Sequence, residues 1–355
     1  PTNGGIGSEP MSNDRILVYL ADLMHDYMEM RQFVPLGIGF LASYAKSVHG
    51  DAVEIRLFKS VDKLLDAVEI ERPDLVGLSN YTWNLQLGAF AGSRIKAAHP
   101  TLPMIMGGPN IGTTEPNVDA FLRTHEYVDV YCMYGAERSL ASLVGGLLGQ
   151  PAAKRTAEAL RSMAVDSCYS LVDGRLRGNS DFDDEKDLDY IPSPYTSGIL
   201  DEFLDDGFIP LFETNRGCPY SCTYCAWGIS ALNKLRRFGL DRVQADLDYV
   251  ARHGLEYSEL HFVDANFGIL KRDVDIARRL RALWESTKSF SSVIVYWSKS
   301  ASPHMVDIGR ILGHLTTTYV AFQSLDDTVL AAMKRQNIKT DRLVHVIDNL
   351  RGYTH

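Results

Sequence analysis

The chain contains 355 residues, 45% of them apolar and 23% charged, and carries a formal net charge of −9. This length and composition predict a globular protein of two or three domains, and the acidic balance argues against a nucleic-acid partner. No apolar run reaches the ~20 residues of a membrane-spanning helix, and five cysteines without a secretory signal favour a reducing, cytoplasmic setting.

The amino-terminal part of the chain alternates between strand and helix patterns. Residues 1–13 are rich in Gly, Ser and Pro and are expected to be disordered or to derive from cloning. Strands that alternate with helices predict an α/β domain with a doubly wound, Rossmann-like parallel sheet over residues 14–165. The strand patterns are residues 15–21, 52–58, 74–79, 103–106 and 128–133, and the helix patterns are residues 35–48, 61–70, 85–98, 118–123 and 137–148.

Residues 166–205 do not continue the alternation of strand and helix patterns and are predicted to form a hairpin and a linker. Residues 168–176 read as two short strands that turn at Asp173-Gly174, a dipeptide typical of tight hairpins. The acidic stretch 179–190 and the proline-containing stretch 191–195 then predict an extended, stiff connection.

Residues 206–355 are predicted to form a second α/β domain of about four β/α units. Such a repeat is typical of a barrel, in which the active groups follow the carboxyl ends of the strands. The strand patterns are residues 208–212, 259–263, 292–297 and 319–323, and the helix patterns are residues 241–253, 274–287, 305–312, 328–334 and 341–350.

Three cysteines follow the first strand of this second domain. Cys218, Cys222 and Cys225 have the spacing Cys-x3-Cys-x2-Cys. Three thiolates on one loop can ligate three irons of a four-iron, four-sulfur cluster, and the fourth iron then stays open because no fourth cysteine lies nearby. An open iron can bind the amino and carboxylate groups of S-adenosylmethionine. Cys132 and Cys168 are expected to be ordinary core thiols.

Two other uses of these cysteines fit the sequence less well. A structural zinc site needs four ligands, and the nearest downstream histidines, His253 and His261, do not have the usual spacing from the cysteines. Structural disulfides are disfavoured because cysteine is sparse in this chain.

The cysteine loop, residues 216–228, resembles the signature of the radical S-adenosylmethionine enzymes. The layout of residues 14–350 resembles the cobalamin-dependent members, in which a cobalamin-binding domain precedes the barrel. The matching stretches of the first domain are Val-Pro-Leu-Gly at 34–37, the strand that ends at Ser79, Gly-Gly-Pro at 107–109 and Gly-Ala-Glu at 135–137. A barrel of this family generally has six strands, so the resemblance implies a partial, truncated (β/α) barrel here.

The resemblance implies that cobalamin binds at the loops of the first domain. No Gly-x-Gly-x-x-Gly follows the first strand, which argues against a dinucleotide. His25 lacks the glycine of an Asp-x-His-x-x-Gly motif, so no protein histidine is expected on cobalt. The residues expected at cobalamin are Pro35, Leu36, Gly37, Ser79, Tyr81, Thr82, Gly107, Gly108, Pro109, Gly135 and Glu137.

The resemblance also implies a binding site for S-adenosylmethionine at the strand ends of the second domain. Only one acid of the family's Asp-Asp-x-Phe stretch is present, because Ala265 replaces the second. The residues expected at S-adenosylmethionine are Tyr224, Asp264, Asn266, Ser298, Gln323 and Ser324.

The expected function is that of a radical enzyme. It would methylate an unactivated carbon, or a phosphorus centre, of a small-molecule or natural-product substrate, using methylcobalamin and a 5′-deoxyadenosyl radical. A flavodoxin or ferredoxin is the expected electron donor, with no nucleic acid or membrane as partner. Two alternatives stay open: a non-methylating member that performs cyclisation, ring rearrangement or electron transfer, and a non-catalytic module that binds cobalamin or an iron–sulfur cluster.

Overall fold

The computed structural model describes residues 15–25, 32–181, 185–228, 232–253, 256–299 and 302–353, so the expectation for residues 1–13 lies outside the described residues. The chain divides into two compact units. The first consists of Pro1–Glu29 and Gly37–Asp183, and the second of Met30–Leu36 and Asp184–His355. No helix in the described part of the chain is long and apolar enough to cross a membrane.

The first unit is built on a seven-stranded, mostly parallel sheet with the strand order β2-β1-β3-β4-β5-β6-β7. Its first five strands are parallel to their neighbours in the sheet. The pairing of β1 with β2 begins with Ile16 opposite Val53. The order 2-1-3-4-5 is that of a doubly wound sheet in which β1 and β3 flank the switch point. The strands are β1 (Ile16–Ala21), β2 (Val53–Phe58), β3 (Leu75–Ser79), β4 (Met104–Gly107), β5 (Val130–Cys132), β6 (Cys168–Val172) and β7 (Arg175–Gly178).

Helices connect these parallel strands as the sequence pattern predicts. The apolar face of α2, α3 and α4 covers one side of the sheet, where Leu64, Ile95 and Leu122 pack on strand residues such as Tyr19 and Met106. Strands β1, β3, β4 and β5 are buried almost completely, which explains their continuous apolar runs. The helices of this unit are α1 (Leu36–His49), α2 (Val61–Ile70), α3 (Leu85–Ala98), α4 (Glu115–Thr124), α5 (Ala136–Leu148) and α6 (Ala157–Arg161).

The hairpin β6–β7 extends this sheet instead of standing apart as part of a linker. β6 pairs antiparallel with β5, so Cys132 lies directly opposite Cys168. Both thiols are free and buried, with their Sγ atoms 3.7 Å apart, which confirms that they are core thiols. The predicted turn at Asp173-Gly174 is also confirmed, because both residues have positive φ and Val172 pairs with Arg175.

The second unit contains three consecutive parallel strands in the order β12-β11-β8, with a short antiparallel pair, β9–β10, beside them. The stiff 191–195 segment is fixed to this unit, since Ser193 Oγ donates to Asp246 and Tyr195 Oη donates to Leu211 O, each at 2.5 Å. The strands are β8 (Leu211–Phe212), β9 (Asn215–Arg216), β10 (Arg236–Arg237), β11 (Leu260–Phe262) and β12 (Val293–Ile294). The helices are α7 (Asp201–Asp205), α8 (Leu240–Arg252), α9 (Asp273–Thr287), α10 (Pro303–Leu312), α11 (Asp327–Ala332) and α12 (Thr340–Leu350).

The predicted fourth strand of this unit, residues 319–323, is wrong. Within residues 302–353 the structure shows helices and loops but no strand ladder. Tyr319 Oη instead donates to the carbonyl oxygen of Val295 at 3.1 Å. A side chain, and not the backbone of a fourth strand, therefore occupies this acceptor just beyond β12.

The end of β7 gives a test of this sheet. At Gly178, where φ is +131°, a Cβ would lie 1.9 Å from the carbonyl oxygen of Cys168. We expect Gly178→Ala to lower the free energy of unfolding by more than about 2 kcal/mol in urea titrations, because backbone strain and a backbone clash combine. Gly174→Ala is the matched control in the same hairpin, since its Cβ would meet nothing within 4 Å and its positive φ costs about 1 kcal/mol. Equal losses in the two variants would contradict the close approach of β7 to β6.

Candidate functional site

The cysteine loop follows β9, a strand of the short antiparallel pair β9–β10 in the second unit. Cys218 N donates to Leu232 O at 3.0 Å, and Cys225 N donates to Cys222 O at 3.2 Å, so backbone hydrogen bonds fix both ends of the loop. The thiol of Cys222 is buried, whereas those of Cys218 and Cys225 are half-buried. The loop therefore holds its three thiols at the boundary between core and surface.

Two of the three sulfurs accept hydrogen bonds from side chains that follow other strands. Asn266, after β11, places Nδ2 3.1 Å from the Sγ of Cys218. Lys299, after β12, places Nζ 3.3 Å from the Sγ of Cys222. The strand-end rule thus brings residues 48 and 77 positions away in sequence onto the cysteine loop.

The surroundings of Cys222 favour the thiolate. Burial alone would raise its pKa, but the ammonium of Lys299 and hydrogen bonds from Tyr224 and Arg335 outweigh burial and lower the pKa below the usual thiol range. A thiolate, not a thiol, is the form that binds metal.

These residues fit an iron–sulfur cluster better than a zinc ion. Among the described residues, no three His, Cys, Asp or Glu side chains converge as they would around a single metal ion. A zinc site needs such convergence. In a four-iron cluster each thiolate binds a different iron, so three separate thiols on one loop, two of them with N–H donors, form a suitable set.

Asp264 lies beneath the cysteine loop and not at its surface. Its carboxylate is 1% exposed and accepts hydrogen bonds from Thr214 N at 2.7 Å, Thr214 Oγ1 at 2.5 Å, Asn215 N at 3.1 Å and Asn215 Nδ2 at 3.0 Å. Burial raises the pKa of Asp264 to about 7, although all four donors favour the charged form. Arg272 completes the arrangement by donating to Thr214 O at 2.6 Å.

The other residues predicted for S-adenosylmethionine have varied positions. Tyr224 is half exposed, and its Oη accepts from Arg335 at 3.0 Å, while Arg335 also donates to Ala321 O at 2.6 Å. Ser298 is buried after β12. Gln323 is exposed, and Ser324 Oγ accepts from Asp326 N at 3.1 Å before α11. Tyr224 is itself part of the cysteine loop, and the structure brings Asn266 to it. Among the described residues, Gln323 and Ser324 form no direct hydrogen bond with the loop.

In the first unit, polar residues meet at the switch point between β1 and β3. Ser79 Oγ donates to Asp22 Oδ1 at 2.7 Å, and the buried Asn84 donates to Asp22 at 3.1 Å and to Ser79 Oγ at 2.8 Å. Lys59 balances the Asp22 carboxylate in an ion pair of 2.9 Å. The switch point is where open α/β sheets bind ligands.

A second network ties the loop after β4 to the loop after β3. Asn80 Nδ2 donates to Asn110 O at 2.9 Å and to Tyr131 Oη at 3.0 Å, and Tyr131 Oη donates to Gly108 O at 2.7 Å. Gly108 has φ of +135°, and a Cβ there would lie 2.4 Å from Asn80 O. Only glycine permits this close approach, which makes residues 79–84 and 107–110 one continuous rim.

The remaining residues predicted for cobalamin are distributed around this rim and beyond it. A Cβ at Gly37 would lie 3.7 Å from Tyr81 Oη, and the Tyr81 ring stacks on Trp83 with centroids 4.5 Å apart. Thr82 and Pro109 are exposed, Gly107 and Gly135 are half-buried, and Glu137 is buried in the first turn of α5. Pro35 and Leu36 are buried in the short 30–36 segment that belongs to the second unit.

Sequence reasoning did not assign roles to several of these residues. Asp22, Asn80 and Tyr131 organise the rim, and Lys299 and Arg335 surround Cys222. Position directly after a predicted strand could have singled out Asp22, Asn80 and Lys299. Tyr131 and Arg335 carry no such signal.

Comparisons with known proteins agree with this layout. No family model matches the chain. Over 342 residues it is 31% identical to the 2-(S-pantetheinyl)-carbapenam-3-carboxylate methyltransferase of Streptantibioticus cattleyicolor, a match that covers 91% of this chain and 48% of that protein. Over 351 residues it is 29% identical to the cobalamin-dependent radical SAM methyltransferase TokK of Streptomyces tokunonensis, again covering 91% and 48%. The chain thus spans about half the length of these relatives.

Solved structures share the fold. The cobalamin-dependent S-adenosylmethionine radical enzyme OxsB, with aqua-cobalamin and S-adenosylmethionine bound, matches with a TM-score of 0.69 at 15% identity, over 95% of this chain and 48% of that one. The radical S-adenosylmethionine methyltransferase TsrM from Kitasatospora setae, with cobalamin and a [4Fe-4S] cluster bound, matches with a TM-score of 0.70 at 15% identity, over 96% and 68%. Over the span that it covers, the chain belongs to the cobalamin-dependent radical S-adenosylmethionine enzymes.

Proposed function

We propose that this chain is the cofactor-binding part of a cobalamin-dependent radical S-adenosylmethionine methyltransferase that acts on a small-molecule natural product. The observation that carries the proposal is the cysteine loop, which presents three thiols, two of which accept hydrogen bonds from side chains at two further strand ends. Both named relatives above are methyltransferases, which favours methylation over the non-methylating and the non-catalytic alternatives.

In the second unit, Cys218, Cys222 and Cys225 would hold the cluster. When bound, the cluster supplies an electron to S-adenosylmethionine and cobalamin supplies the methyl group. Asn266 and Lys299 stabilise charge on the cysteine sulfurs, and Tyr224 is available beside the loop for the adenine. Ser298, Gln323 and Ser324 remain proposed contacts for S-adenosylmethionine.

Asp264 has a different proposed role. Because its two oxygens accept four hydrogen bonds from Thr214 and Asn215, we propose that it holds the base of the cysteine loop and does not itself contact S-adenosylmethionine. An ordered loop keeps the thiols at fixed separations before any cofactor binds.

In the first unit, the rim formed by residues 79–84 and 107–110 would hold cobalamin. The hydrogen bonds that join Asp22 to Ser79 and Asn80 to Asn110 keep this rim rigid, so the ring of Tyr81 and the backbone of Gly107 and Gly108 can face the ligand. Gly37, Thr82, Pro109, Gly135 and Glu137 complete the proposed set in this unit, and Pro35 and Leu36 precede it in sequence.

We propose further that the second unit is part of a (β/α) barrel. Strands β8, β11 and β12 are consecutive and parallel, and the helices α8, α9 and α10 follow them in turn. This is the repeat from which such barrels are built. The electron would come from a flavodoxin or ferredoxin type of donor, in the reducing cytoplasm where an exposed cluster persists.

The cysteine loop is tested by cluster content. We expect Cys222→Ala to lose most of the about four irons per chain that the unsubstituted protein takes up in anaerobic reconstitution, because the sequence offers no fourth cysteine near the loop to replace this thiolate. Iron and sulfide analysis together with visible absorbance measure the loss. Cys168→Ala, which removes a buried thiol of the first unit, is the control and should keep the full iron content. A full cluster in Cys222→Ala would refute the assignment.

The proton held by Asp264 is tested by the pH dependence of stability. Its folded-state pKa of about 7 lies above the ~3.9 of an unfolded chain, so the stability that this proton contributes is complete below pH ~4 and is lost as the pH rises through about 7. We expect the free energy of unfolding of the unsubstituted apo-protein to fall, relative to Asp264→Asn, by about 1.4 kcal/mol per pH unit within that window. Urea titrations at several pH values measure it.

A second buried carboxylate serves as the control for that experiment. Asp273 is fully buried at the start of α9, and burial raises its pKa to about 6. Relative to Asp273→Asn, the free energy of unfolding of the unsubstituted protein should therefore also fall as the pH rises. This fall should end near pH 6, about one pH unit below the end of the fall for Asp264. Parallel stability profiles for the unsubstituted protein and Asp264→Asn would show that Asp264 is ionised throughout.

The cobalt ligand is tested by spectroscopy. We expect cobalamin in the cobalt(II) form to give the same electron paramagnetic resonance spectrum whether the protein contains natural or ¹⁵N-labelled histidine, since the chain lacks an Asp-x-His-x-x-Gly motif. A nitrogen splitting that changes with the label, and disappears in His25→Ala, would contradict the absence of a histidine ligand.

A further inference from the structure

Lys299 is a buried cation beside the cysteine loop. Its side chain follows β12 and the residue is only 8% exposed. Nζ lies 3.3 Å from the Sγ of Cys222 and 3.7 Å from the centroid of the Tyr220 ring. Among the described residues, no carboxylate forms an ion pair with Lys299.

This placement needs a compensating negative charge. Removing an ammonium group from water is unfavourable unless the group is paired and hydrogen-bonded. The face of the Tyr220 ring offsets part of that cost through a cation–π interaction. The remaining partner is the sulfur of Cys222, so the lysine is positioned for the negative charge that this sulfur carries as a metal ligand.

The charge on a bound cluster links this lysine to redox chemistry. Net charge and hydrogen bonds to the sulfurs are among the factors that set the reduction potential of an iron–sulfur cluster. Reduction adds one electron, with no bond formed or broken, so a nearby cation stabilises the reduced form more than the oxidised form. Asn266 gives Cys218 a similar but uncharged hydrogen bond at 3.1 Å.

We propose that Lys299 raises the reduction potential of the cluster held by Cys218, Cys222 and Cys225, by donating a charged hydrogen bond to the Cys222 sulfur. The inference rests on the proposed function, because it needs that cluster to form. Lys299 acts through the cluster and touches no substrate in this role. Without the lysine, a ferredoxin or flavodoxin type of donor would reduce a smaller fraction of the protein.

Redox titration of the reconstituted chain, followed by electron paramagnetic resonance and carried out without S-adenosylmethionine, tests the proposal. We expect Lys299→Met to lower the ratio of reduced to oxidised cluster at a fixed potential by at least about tenfold, which is 59 mV for a one-electron couple. Lys299→Arg keeps the charge and should stay close to the unsubstituted protein. Lys288→Met is the matched control, because Lys288 is an exposed lysine that also stacks on an aromatic ring, 3.3 Å from the Trp284 centroid.

Four other results would contradict the proposal. An unchanged potential in Lys299→Met with full iron content overturns it, as does a change that appears only after S-adenosylmethionine is added, which would make Lys299 a contact of that ligand. If Lys299→Met does not retain the cluster, Lys299→Gln, which keeps an N–H donor but no charge, must show the same direction of shift, and an unshifted potential there overturns the role. Failure of the unsubstituted chain to assemble any cluster would overturn the proposed function as well.

Discussion

A carboxylate placed just after one strand of each sheet holds the loop of a neighbouring strand in position. In the second unit, Asp264 follows β11, the middle strand of β12-β11-β8, and binds Thr214 and Asn215 after β8. In the first unit, Asp22 follows β1 and binds Ser79 at the end of the adjacent β3. Parallel strands end at the same edge, so one acceptor there can fix a loop that follows a neighbouring strand.

The two carboxylates are stabilised by different means. Asp22 is partly exposed and forms an ion pair with Lys59, so solvent and a cation share its charge. Asp264 is fully buried and depends on four neutral donors, which is why burial prevails and raises its pKa to about 7. The loop that carries the three thiols is therefore anchored by a group whose charge is costly, whereas the rim of the first unit is anchored by a group whose charge is balanced.

Local sequence patterns predicted most of the first unit because its elements are regular. Continuous apolar runs identified β1, β3, β4 and β5, and Asp173-Gly174 identified the β6–β7 turn, since both signals depend on neighbours in sequence. The membership of that hairpin in the sheet was missed, because the pairing of β6 with β5 is a tertiary contact. Residues 319–323 have a strand-like pattern, but a pattern does not provide a partner strand.

The candidate site was likewise predictable only where its residues are close together in sequence. The spacing of Cys218, Cys222 and Cys225 lies within one loop and was readable directly. The hydrogen-bond partners of the loop are distant in sequence. Lys299 is 77 positions from Cys222, and Arg335 is 111 positions from Tyr224. No periodicity connects such residues, and only the strand-end rule gave a partial indication of Lys299 and Asn266.

Those distant partners make three cysteines that look equivalent in sequence chemically unequal. Cys222 is buried and receives a charged donor, Cys218 is half-buried and receives a neutral amide, and Cys225 has no side-chain donor among the described residues. A hydrogen bond from a charged group is roughly twice as strong as a neutral one, so negative charge is stabilised most at the Cys222 corner of the loop. The spacing motif fixes where three thiolates stand, and the ends of β11 and β12 determine how much charge each of them can carry.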